Sequence, residues 1–264
     1  MKIGLISDLH IGPDRSTKGM PLKLSEHSLP FIGEFINHLS EDPDFAFAIH
    51  LGDLIEDAGR DTDLKNFPMG VAALAKSPVP MHHVIGNHDV INLSQKEICS
   101  FLDIDSLFYS FDAGGFHFII LHSDTHTPQK YPASIPPEQI EWLQKDLSKT
   151  TKPTILFTHF SLADQDLTPN RWFKHTPDGC LLKNRTDVRS ILSSSGKIIA
   201  VLNGHLHWNH IDQHDGIPYI TVQSAVEKLD GDKISNSWGI IELLENTFTL
   251  EIKGNDPITF TRNF

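Results

Sequence analysis

Short apolar runs recur along this chain, and five of them end on Asp, Asn or His. "KIGLIS" (2–7) is followed by Asp8 and His10, "FAFAIHLG" (45–52) by Asp53, and "PMHHVIG" (80–86) by Asn87, His88 and Asp89. "TILFTHF" (154–160) carries His159, and "IIAVLNG" (198–204) delivers His205 and His207. Runs of this length, rich in Ile, Leu, Val and Phe and bounded by Gly, Asn and Asp, read as buried strands, with "FHFIILHS" (116–123) as a sixth. Residues 31–40, 62–76, 92–102, 136–149 and 181–193 place apolar side chains at three- and four-residue spacing and read as helices. "YSFDAGGFHFII" reads as a hairpin turning at Gly114-Gly115, and "WGIIELLENTFTLEIKG" as another turning at Glu245-Asn246, with "IPYITVQSA" as a further strand. Alternating strands and helices followed by hairpins predict an α/β protein, a four-layer αββα sandwich with two mixed β-sheets between helices.

Taken singly, each strand end has a plain explanation. Asp8-x-His10 suits a turn or a helix cap, and Gly52-Asp53 and Asn87 suit turns, because Gly, Asn and Asp dominate turns for backbone reasons. His50, His82, His117 and His122 read as histidines hydrogen-bonded within or beside the core. Together the five segments ask for more. In open α/β sheets the carboxyl ends of the strands share one edge, where ligands bind, so side chains from Asp8 to His207 can converge there.

In order along the chain, "DLH" (8–10), "GDLIED" (52–57), "GNHD" (86–89), "THF" (158–160) and "GHLH" (204–207) resemble the motifs of the calcineurin-like metallophosphoesterase superfamily. The helix "IPPEQIEWLQKDL" resembles one in its cyclic-nucleotide phosphodiesterase branch (class III). The chain departs from the pattern at Thr158-His159-Phe160-Ser161, where relatives often have Gly or His before the ligand and Pro soon after, and at His122, where they often carry Asp. The resemblance implies that Asp8, His10, Asp53 and His207 hold one metal ion and Asp53, Asn87, His159 and His205 a second, with Asp53 bridging. Carboxylates, an amide carbonyl and imidazoles suit manganese, iron or zinc. Two such ions can hold a hydroxide and clamp the attacking and leaving oxygens at phosphorus. The resemblance places His88 outside the metal ligands, facing the substrate as a catalytic group, and Asp89 is expected to orient it.

Composition narrows the partners. Lys and Arg number 22 against 34 Asp and Glu, a formal charge of −12, which argues against general nucleic-acid or anionic-membrane binding. Cys99 and Cys180 lack metal-site spacing, and no apolar run is long enough for a membrane span, so a cytoplasmic chain with a small-molecule phosphoester substrate is expected. One domain, 1–264, is expected, with residues 161–183 as a candidate lid. Within and beside it, Trp172 and Asn184 are candidate substrate contacts, although Trp172 and Phe173 equally suit the core. A dimetal phosphodiesterase, acting on a cyclic nucleotide or a small nucleotide or glycerol diester, is the favoured reading. The alternatives are a phosphomonoesterase of the same fold and a catalytically silent metal-binding scaffold.

Overall fold

The computed structural model describes residues 1–14, 23–125 and 133–264. In chain order it contains β1 (Lys2–Ile6), α1 (Ser28–Glu41), β2 (Phe45–His50), α2 (Arg60–Leu74), β3 (Met81–His83), α3 (Asn87–Ile91) and α4 (Gln95–Leu102). The hairpin β4 (Tyr109–Ala113) and β5 (Phe116–Ile120) follows, then α5 (Pro137–Lys149), β6 (Thr154–Thr158), α6 (Arg185–Ser195) and β7 (Ile198–Asn203). The chain closes with β8 (His210–His214), β9 (Ile217–Thr221), β10 (Trp238–Leu244), β11 (Thr247–Lys253) and β12 (Ile258–Asn263).

Local chemistry explains the boundaries. The periodic stretch 92–102 divides because Ser94 caps α4: its hydroxyl accepts from Glu97 N (3.3 Å), and the Glu97 carboxylate accepts from Ser94 N (2.9 Å). The last periodic stretch, 181–193, becomes helical only at Arg185, because Leu181 bridges to Ser161 and Leu182 N donates to Ser161 O (3.1 Å). In β10 and β11 the apolar residues alternate, so Ile241, Leu243, Phe248, Leu250 and Ile252 all enter the core. Two strands carry no apolar run in the sequence. These are β8, "HIDQH", and β12, "ITFTRN", edge strands whose residues are half-buried or exposed.

One sheet has the order β12-β11-β10-β1-β2-β3 and the other β4-β5-β6-β7-β9-β8. Both are mixed, with β1, β2 and β3 parallel in the first and β5, β6, β7 and β9 parallel in the second. A core of Ile3, Ile49, Phe118, Phe157, Phe248 and their neighbours fills the space between the sheets. Phe31, Phe35, Phe67 and Ile98 of α1, α2 and α4 cover the outer face of the first sheet, and Leu143, Leu147, Val188 and Leu192 of α5 and α6 that of the second. The expected αββα sandwich is therefore present, and it brings the carboxyl ends of the parallel strands to one edge. No helix of the described residues is long and apolar enough to cross a membrane.

Across the inter-sheet core, the Phe118 ring meets Phe47 of the facing sheet edge-on at 5.0 Å and is fully buried. Phe118→Ala should cost about 3–5 kcal/mol, because facing sheets collapse only partly into the space left. Urea unfolding followed by circular dichroism measures this, and a loss below about 1 kcal/mol would show that the sheets do not depend on this contact.

Candidate metal centre

The strand ends meet at Asp53. This carboxylate is 1% exposed, and its Oδ2 lies 3.2 Å from His159 Nε2, 3.8 Å from His10 Nε2 and 4.0 Å from His88 Nε2. Its Oδ1 accepts the backbone N–H of His88 (2.9 Å). On one side, Asp8, His10, Asp53 and His207 present ligand atoms within 4.8 Å of one another; on the other, Asp53, His159 and His205 do the same. Asn87 joins the second group, its Oδ1 3.2 Å from His159 Nε2. Each of the seven residues proposed from the sequence as a metal ligand thus stands in one cluster, buried except for the half-buried Asn87.

The local backbone is specialised for this convergence. Asp8, His10, Asp53, His205 and His207 have φ of 50°, 48°, 53°, 68° and 56°. Left-handed backbone is uncommon away from glycine and costs on the order of 1–3 kcal/mol where it is strained. Its concentration at five strand-end residues turns their side chains toward a common point. Two glycines allow the close approach: a Cβ on Gly86 would collide with the Asp53 carboxylate and amide, and one on Gly204 with Ser7 and Asp8.

Hydrogen bonds fix which atoms face inward. His159 Nδ1 donates to Leu51 O (2.8 Å), leaving Nε2 toward Asp53 and Asn87. His207 Nδ1 donates to Glu227 (3.0 Å), and His10 Nδ1 lies 2.9 Å from Glu56, so their Nε2 atoms face each other at 3.0 Å. His205 Nε2 is buried without a hydrogen-bond partner. Two imidazole lone pairs face one another, and others face carboxylate and amide oxygens, an arrangement that requires protons or cations between them. In the ion-free chain, burial opposes protonation of His159 and His207, but the Asp53 charge at the first and bonds to Asp8 and Glu227 at the second win, pushing both up to about 9. Burial keeps His10 and His205 neutral, their pKa held well below the usual imidazole range. The donor set of oxygens and imidazole nitrogens suits two borderline or hard divalent ions, so the residues fit the metals that the motifs imply.

Several expectations change. The carboxylate beside His88 is Asp57, whose Oδ1 accepts from His88 Nδ1 (2.6 Å). Asp89 instead accepts from the backbone N–H groups of Leu54 (2.9 Å), Ile55 (3.2 Å) and Gly86 (2.9 Å), lacing the two loops together. Its geometry is that of a loop brace. Asn184 is not aimed at the site, because its amide accepts from Ile135 N (3.1 Å) and donates to Ile135 O (2.8 Å). Within 161–183, Leu167, Cys180 and Leu181 cluster with Leu206, and Phe173 lies 5.0 Å from the His205 ring. Trp172 stands at the rim, 5.2 Å from His207, with its indole N–H on Glu227 (3.0 Å). Glu56, Asp57, Glu227 and Lys23 were not singled out by their motifs, although "GDLIED" does show two further carboxylates just after Asp53.

This edge of αββα strands, gathering acids and imidazoles around one carboxylate, has the donor chemistry that metal-dependent phosphoester hydrolysis needs. The chain belongs to the calcineurin-like phosphoesterase family, whose model matches residues 1–209, and it is a metal-dependent phosphoric ester hydrolase. It is 25% identical over 240 residues to a probable cyclic nucleotide phosphodiesterase of Fibrobacter succinogenes, covering 86% of this chain and 81% of that one. It is 21% identical over 300 residues to the manganese-dependent ADP-ribose/CDP-alcohol diphosphatase of Arabidopsis thaliana, covering 94% and 92%. Its fold is similar to that of a dimetal phosphatase from Danio rerio, with a TM-score of 0.80, 19% identity and 98% of each chain covered.

Gly86→Ala should displace Asp53 and lower activity by roughly 100-fold, the effect of a misplacement near 1 Å. Bound manganese should fall with it. Gly33→Ala, where a Cβ meets nothing within 4 Å inside α1, serves as control and should keep activity while gaining roughly 0.5–1 kcal/mol. Full metal content and activity in Gly86→Ala would show that the loop retreats without cost.

Proposed function

We propose that the chain hydrolyses phosphodiesters, cyclic nucleotides or small nucleotide and glycerol diesters, using two divalent cations of the manganese, iron or zinc type. The observation that carries this reading is the convergence of two ligand groups on the single carboxylate of Asp53. Asp8, His10, Asp53 and His207 would hold one cation, and Asp53, Asn87, His159 and His205 the other. When bound, such a pair supplies Lewis acidity, an activated water and a clamp on the oxygens of an in-line displacement.

The chain's own groups do the rest. The Asp57 carboxylate fixes His88 through Nδ1, and the ring keeps 19% of its side-chain surface open. Its Nε2 lies 4.0 Å from Asp53, beside the reacting position, where it can give a proton to the departing ester oxygen. Backbone N–H groups of His88 and His205 hold the carboxylates of Asp53 and Asp8 in place.

Charge favours a diester. Two divalent cations bring four positive charges, while Asp8, Asp53 and one deprotonated water offset three, leaving about +1 by formal counting. A diester, with one negative charge, balances this; a monoester, at about −1.5 to −2, needs a further cation such as an arginine clamp. Among the described residues, the cation set against the cluster is Lys23, and Glu56 already pairs with it at 2.7 Å. Arg171 is bound to Asp230 and to Lys228 O, Lys174 is exposed, and Arg15 lies outside the described residues. Two relatives, a probable cyclic nucleotide phosphodiesterase and an ADP-ribose/CDP-alcohol diphosphatase, act by name on a nucleotide diester and a nucleotide diphosphate, which supports a nucleotide-linked substrate.

With manganese, kcat/KM should be higher for bis(4-nitrophenyl) phosphate and a cyclic nucleotide than for 4-nitrophenyl phosphate, and a clear preference for the monoester would reverse the assignment. His88→Ala should retain bound metal and lose about 10²- to 10⁴-fold in rate with a poor leaving group, and less with nitrophenolate. An equal loss with both leaving groups would remove the acid from the mechanism.

A further inference from the structure

Behind the centre lies a second layer of groups, of which only Glu56 falls within one of the five motifs. His207 Nδ1 meets Glu227 Oε2 at 3.0 Å, and His10 Nδ1 meets Glu56 Oε2 at 2.9 Å. Both carboxylates are buried, at 3% and 0% exposure. Each has a second donor: the indole N–H of Trp172 reaches both Glu227 oxygens, at 3.0 and 3.1 Å, and the Lys23 ammonium reaches Glu56 at 2.7 Å. The same ammonium lies 5.6 Å from the Trp172 ring, and the backbones of Lys23 and Glu227 bridge one another. With His10 and His207 Nε2 at 3.0 Å, the contacts close a circuit: His10, Glu56, Lys23, Trp172, Glu227 and His207.

We propose that Glu227 and Glu56 are positioning residues: buried carboxylates that hold the His207 and His10 rings as Nδ1–H tautomers and so present both Nε2 lone pairs to one cation. The chemistry follows from the donors. A carboxylate has only acceptors to offer, so the hydrogen lies on Nδ1 of His207 and Nε2 is the nitrogen left for a cation; at His10 the Glu56 oxygen, at 2.9 Å, is closer to Nδ1 than the Lys23 ammonium, at 3.3 Å, and favours the same tautomer. The negative charge also raises the basicity of the ring toward a cation. Lys23 offsets the charge of Glu56, and the Trp172 N–H, within reach of both Glu227 oxygens, restrains that carboxylate beside His207. The Trp172 N–H is thereby committed to the frame of the centre. Its indole face remains at the rim.

This inference rests on the two-cation reading above, and a titration of the full, chelator-stripped chain with Mn²⁺ alone, following free Mn²⁺ by its paramagnetic resonance signal, separates the two. Wild type should bind Mn²⁺; a wild type that took up none would overturn both readings. Glu227→Gln should weaken Mn²⁺ binding by about 10- to 100-fold, the usual range for a lost partner of a ligating histidine. The amide that replaces the carboxylate has one oxygen for two donors, so Trp172→Phe, which removes the indole N–H, should restore part of the loss on the Glu227→Gln background. A purely structural defect would not be relieved by removing a second contact. Glu56→Gln, acting on His10 from a separate loop, should show a similar weakening, and affinities within about twofold of wild type in both Gln variants would overturn the proposal alone. Wild-type protein loaded with Zn²⁺ gives a check that needs no variant to fold: ¹H–¹⁵N long-range correlation spectra should show His10 and His207 protonated at Nδ1. Protonation at Nε2 in either ring would contradict the assignment.

Discussion

Electrostatic frustration around Asp53 organises this molecule. A carboxylate at 1% exposure faces imidazole Nε2 atoms of His159 and His10, and the same His10 nitrogen faces His207 Nε2 at 3.0 Å. Acceptors crowded together in a low-dielectric interior repel unless positive charge lies among them. Protons can serve, and His159 and His207 are pushed up to about 9 to take them. Divalent cations serve better, because each can satisfy several lone pairs at once. The cluster is therefore a site whose stability and function depend on the same charge.

The fold supplies what holds such a cluster together. Parallel strands from two sheets end at one edge, and bonds tie the sheets across it: His159 Nδ1 to Leu51 O (2.8 Å), His205 N to Asp8 Oδ1 (3.1 Å), and Ser224 Oγ to Asp8 O (2.8 Å). Asp89 braces the Asp53 loop to the Gly86 loop through three backbone N–H groups. The left-handed backbone at Asp8, His10, Asp53, His205 and His207 is held by this lattice and by the packed sheets beneath, where Phe47 and Phe118 meet. Strain is thus concentrated where the ligands must turn and is offset by burial elsewhere.

Strand ends are legible in a sequence because the apolar run and the polar residue after it are neighbours in the chain. That is why Asp8, Asp53, Asn87, His159 and His205 stood out together and why the layered fold could be anticipated. The edge strands β8 and β12 were not visible, since "HIDQH" and "ITFTRN" bury no continuous apolar face. Partners of the ligands were harder still. Asp89 is next to His88 in sequence, yet α3 begins at Asn87 and turns the Asp89 carboxylate back toward Leu54 and Ile55, while Asp57 comes from another loop to meet the ring. Glu227 follows His207 by 20 positions and Lys23 precedes Glu56 by 33, distances over which no local pattern connects them. Side chains that reach the site through tertiary contact alone leave no periodic trace.

In the proposed centre one carboxylate, Asp53, is shared by two cations. Crystals of the protein grown with Mn²⁺, measured near the manganese absorption edge, should show two anomalous peaks about 3.5–4 Å apart on either side of Asp53. His10 and His207 should ligate one peak, and His159 and His205 the other. A single peak, or two peaks that share no oxygen of Asp53, would contradict this arrangement.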